Sequence, residues 1–88
     1  MMSGAEQDQI QSMVDKASRE ERHLLRLEAE SELNQIRMLA GSKILSAAES
    51  KQGEIAIEML TRLDTTENSK GFLYRTKRRM ELTTMYFG

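Results

Sequence analysis

Between Leu33 and Leu63, apolar side chains return every three to four residues: Leu33, Ile36, Ala40, Ile44, Ala48, Ile55, Met59 and Leu63. No proline interrupts them. A helix with this repeat has one apolar face that must be covered. The mean spacing is about 3.7 residues, nearer an eleven-residue repeat than a heptad, which predicts little or slightly right-handed supercoiling. Small residues at Ala40, Ala47 and Ala48 would let a neighbouring helix come close. The pattern therefore predicts a bundle position and not a leucine zipper.

The rest of the chain agrees with an all-α class. Glu, Leu, Met, Ala, Arg, Lys and Gln, all good helix formers, dominate. Valine occurs once, and no Asn-Gly or Asp-Gly pair marks a hairpin. Residues 1–4 read as a frayed tail, with Ser3 as N-cap and Glu6 in capping-box spacing. Ile10, Met13, Val14, Ala17, Leu24, Leu25 and Leu27 form a sparser apolar face after it. No stop is read before Gly41, and the stripe keeps its phase across Gly41 and Gly53. The expectation is one long amphipathic helix over 5–63 with a bend near Gly41. Residues 64–71, all polar or glycine, then interrupt it, and a C-terminal helix covers 72–86. Residues 1–88 make one helical module.

Composition narrows the function. Of 88 residues, 39% are hydrophobic, 5% aromatic and 31% charged, which is thin material for a self-contained core. Without cysteine there is no disulfide, thiolate metal site or cysteine nucleophile. Partner helices, from copies of the chain or from other proteins, remain as the way to bury the stripe. The net charge of −1 argues against a global fit to nucleic acid or to an anionic membrane. No apolar run approaches the roughly 20 residues that span a bilayer. The first residues carry neither a secretory nor a myristoylation signal. These features predict an intracellular, cytoplasmic protein that meets membranes only through a partner.

Catalytic chemistry finds no footing. His23 is the only histidine, and although Glu20 stands three residues before it, di-metal bundles need that motif on facing helices. No serine is paired with an orienting base, and the glycines form no phosphate loop. No catalytic, cofactor or metal residue is therefore assigned. The last segment is more distinctive. Phe72, Leu73, Tyr74, Met80 and Phe87 alternate with Arg75, Lys77, Arg78 and Arg79. The expectation is a docking segment whose aromatics pack and whose basic residues are solvated. An alternative is single-stranded nucleic acid bound by stacking and phosphate contact over 72–79. The seven methionines suit adaptable contact surfaces.

Residues 41–50, Gly-Ser-Lys-Ile-Leu-Ser-Ala-Ala-Glu-Ser, followed by 55–64, Ile-Ala-Ile-Glu-Met-Leu-Thr-Arg-Leu-Asp, resemble a SNARE motif of the glutamine-class b type. The resemblance implies a helix that joins three others in a parallel bundle driving vesicle fusion. Ile44, Ala48, Ile55, Met59 and Leu63 would then be layer residues. The central polar layer would fall at Thr66, where the family carries glutamine or aspartate, and later layers at Lys70 and Lys77, which are poor layer residues. The three sequence readings are thus a scaffolding subunit in a coiled coil or helical bundle with partner helices, a SNARE-like fusion helix, and a small nucleic-acid binder acting through residues 72–79.

Overall fold

Three of the four helices begin with the same four-residue device. In a computed structural model that describes residues 2–88, Ser3, Ser18 and Ser46 each cap a helix. Each serine hydroxyl accepts from the amide three residues on, and a glutamate there accepts from the serine amide in return. These reciprocal bonds satisfy orphan donors at each helix start. The resulting elements are α1 (Gly4–Lys16), α2 (Arg19–Ala40), α3 (Ala47–Glu67) and α4 (Phe72–Phe87). All-α architecture is as expected.

The expected long helix over 5–63 is not formed. It would be about 88 Å long at 1.5 Å per residue, whereas the molecule's longest dimension is 37 Å. Two breaks fold it back. Ala17 leaves the helical region with ψ 140°, because Ser18 and Glu21 build a new start there. The second break runs from Gly41, which caps α2, to Ser46, which caps α3. A helix start thus overrides a stripe that happened to stay in phase. Two smaller boundaries also move. Within the expected tail, Met1 lies outside the described residues, but Met2 is buried and Gly4 opens α1. Residues 64–67 are helical, and the interruption shrinks to 68–71.

That last break is a Schellman ending. The amide of Ser69 donates to the Thr66 carbonyl and that of Lys70 to the Thr65 carbonyl. Ser69 takes φ 52°, the left-handed conformation such an ending requires and glycine usually supplies.

Helix α3 lies at the centre and packs against the other three. Ala56 to Leu63 are buried without a gap. Its apolar members, Ala56, Ile57, Met59, Leu60 and Leu63, meet Ile10 and Val14 of α1, Ala29 and Leu33 of α2, and Leu82 of α4 in one core. Its buried polar members are satisfied. Thr61 and Thr65 donate to carbonyls one turn back, each at 2.7 Å. Arg62 reaches Glu58 at 2.6 Å and extends to the Gln7 and Gln11 side-chain oxygens of α1.

Candidate docking face on the fourth helix

Helix α4 is seated by charge. Arg79 grips Glu58 with two bonds of 3.0 Å, and Glu58 also accepts from Arg62. Arg78 donates to Asp64 at 2.7 Å, and Asp64 takes a second guanidinium, Arg26 of α2, at 2.6 Å. Two carboxylates of α3 thus hold two arginines of α4. Glu58 is only 3% exposed. Burial alone would raise its pKa, but the hydrogen bonds from Arg79 and Arg62 outweigh it, and the net shift is downward. Arg75 lies beside this cluster with its guanidinium 5.4 Å from the centre of the Phe72 ring. Burial, together with the neighbouring Arg62 and Arg79, lowers its pKa. Of the apolar residues on α4, Leu82 enters the core and Tyr86 packs against it under the Arg37 guanidinium.

With the arginines turned inward, the apolar residues face out. Leu73 is 83% exposed, and Phe72, Met80 and Met85 are exposed as well. Together with Thr76, Lys77, Glu81 and Thr84 they line a shallow groove along the outer side of the helix. The expected orientation, in which aromatics pack and basic residues are solvated, holds for Tyr86 and Lys77 and fails for Phe72, Arg78 and Arg79. The cause is α3, which offers Glu58 and Asp64 to the incoming helix, so that paired guanidiniums are the better inward neighbours. Of the five residues singled out for docking, Phe72, Leu73, Met80 and Phe87 are exposed, and Tyr74 is partly buried. Phe87 leans toward α2 and α3 where Gly53 leaves room: a Cβ there would stand 3.2 Å from the phenyl ring and 3.5 Å from Ile36.

The Leu33–Leu63 stripe divides. Leu33, Ile36, Met59 and Leu63 are buried inside the chain's own bundle, and Ile55 is half-buried. Ala40 and Ala48 are exposed at helix ends, and Ile44, in the α2–α3 loop, is 95% exposed. A single continuous face does not exist, because the loop turns the chain back between its halves. Of the positions matched to SNARE layers, Ile44 is non-helical, Thr66 is partly buried in the last turn of α3 and receives a bond from Gln11, and Lys70 and Lys77 are exposed.

His23 and Glu20 are exposed on α2. Among the described residues, no three metal-ligating side chains converge, and no helix is long and apolar enough to cross a membrane. Neither a protein-family profile, nor a curated protein, nor a solved structure matches the chain. The residues that sequence reasoning missed are Glu58, Asp64, Arg26 and Arg62. Glu58 and Arg62 did carry a signal, since they stand four apart on the strongest helix.

Proposed function

We propose that the chain is a non-enzymatic helical interaction module, a scaffolding subunit that offers α4 to a partner helix. One observation carries this reading: α4 turns its arginines to the core and leaves Phe72, Leu73 and Met80 in water. An apolar strip bordered by charge is the usual form of a helix-docking surface. The stripe first assigned to partners contributes little, since half of it already covers this chain's own core. The arginines of the aromatic and basic segment are likewise engaged: Arg78 and Arg79 are held by carboxylates, and Arg75 stacks on Phe72.

The test is a pull-down from native lysate with mass identification of what is retained. The parent chain should retain partners that the Leu73→Asp, Met80→Asp double variant loses, with both proteins equally helical and equally stable. Equal retention by the two proteins would overturn the reading.

A further inference from the structure

We propose that the occupant of the α4 face is α4 of a second copy of this chain, packed antiparallel about a two-fold axis level with Arg79. This rests on the interaction-module reading above and names its partner. Leu73, Lys77, Met80 and Thr84 run down the middle of the outward face at successive helical turns, with Glu81 beside Lys77 on one flank. An isologous contact must be complementary to itself. About an axis level with Arg79, Lys77 of each copy meets Glu81 of the other, and the pair is made twice. Met80 meets Met80 near the axis, and Leu73 falls beside Thr84 and Met85 of the other copy. A parallel pairing in register would instead set Lys77 on Lys77 across the middle of the face and leave each Glu81 on an opposite flank, which is repulsive without compensation.

The charges needed are available. Lys77 is exposed and makes no ion pair among the described residues. Glu81 is touched by Arg78 at 3.3 Å, yet its side chain stays 47% exposed, and Arg78 has the shorter bond to Asp64. The face is a shallow groove along a single helix, short of the ~800 Å² per side of a standard stable complex. The dimer is therefore one that dissociates on dilution.

Sedimentation of the full chain over a concentration series, up to the millimolar range, tests this. The parent chain should shift from monomer to dimer. Lys77→Glu alone and Glu81→Lys alone should each weaken association by about tenfold or more, and the double exchange should recover most of it. Both positions are on the surface, so helicity should be unchanged in all three. The absence of native cysteine permits a second readout: Met80→Cys should form a disulfide-linked dimer on mild oxidation faster than Met38→Cys, on the exposed side of α2. A chain that is monomeric throughout, or a double exchange as weak as the singles, overturns the proposal. If the chain is monomeric while Leu73→Asp, Met80→Asp still loses captured partners, only the second copy is refuted and the interaction module stands. If that variant loses nothing in either assay, both readings fall.

Discussion

Helices α2 and α4 pack against the same central helix by opposite chemistry. Helix α2 lays Ala29, Leu33 and Ile36 inward and adds one arginine, Arg26, which pairs with Asp64 and Glu67 of α3. Helix α4 contributes Leu82 to the core, with Tyr86 packed against it and Phe87 beside Gly53, and binds the carboxylates of α3 through Arg78 and Arg79. An apolar seam is tolerant of direction and drives collapse, whereas paired guanidiniums fix the rotation of a helix about its axis. The comparison shows how a helix can be well seated and still show its hydrophobic side to water: α4 spends its polar groups on the interior.

The contrast can be broken at its charged end first. Glu58→Ala leaves Arg62 and Arg79 facing each other without a carboxylate, and should destabilise the fold by about 3–5 kcal/mol in a denaturant titration. At the apolar end, Leu33→Ala opens a cavity in a site that is fully buried, and should lower stability by about 2–5 kcal/mol by the same titration. Acid separates the two seams without mutation. Glu58 has a lowered pKa in the folded chain, and Glu6, paired with Lys51, is lowered from 4.5 to about 2. Such groups bind protons more readily when unfolded, so their stabilisation is complete above about pH 4.5 and lost as the pH falls toward their folded values. The parent chain should therefore lose stability over that range, and Glu58→Ala should lose less of it than the parent, as seen in thermal melts at stepped pH. Breaking one capping box with Ser18→Ala should cost about 1 kcal/mol and fray the start of α2, read by amide exchange. The smallest effect sharpens the comparison most: Leu73→Gln, on the outer side of α4, should change stability by no more than about 0.5 kcal/mol.

Much of the fold was legible in the sequence, and its failures have definite causes. The all-α class followed from residue types, and the helix from Phe72 followed from the polar run before it. The long helix does not form because local start signals at Ser18 and Ser46 override a periodic stripe. Ser18 with Glu21 and Ser46 with Glu49 repeat the spacing recognised at Ser3 and Glu6. Applied evenly, that one rule would have divided the chain at both breaks. The face of α4 was harder. Its inward side is decided by Glu58 and Asp64, which lie 21 and 14 residues from their arginine partners, and periodicity within one helix cannot report what another helix will offer. Burial of Arg62 was equally hidden, because it depends on Gln7 and Gln11 arriving from the start of the chain.

Each carboxylate that holds α4 also has a second arginine elsewhere. When α4 swings away, Glu58 still has Arg62 and Asp64 still has Arg26. Departure of α4 therefore strands no buried acid, and the remaining three helices keep most of the core around Leu33 and Leu63. Such an arrangement favours partial opening well below global unfolding. In native-state hydrogen exchange, the amides of α4 should form a separate, more labile group, while those of α2 and α3 exchange together at the global limit.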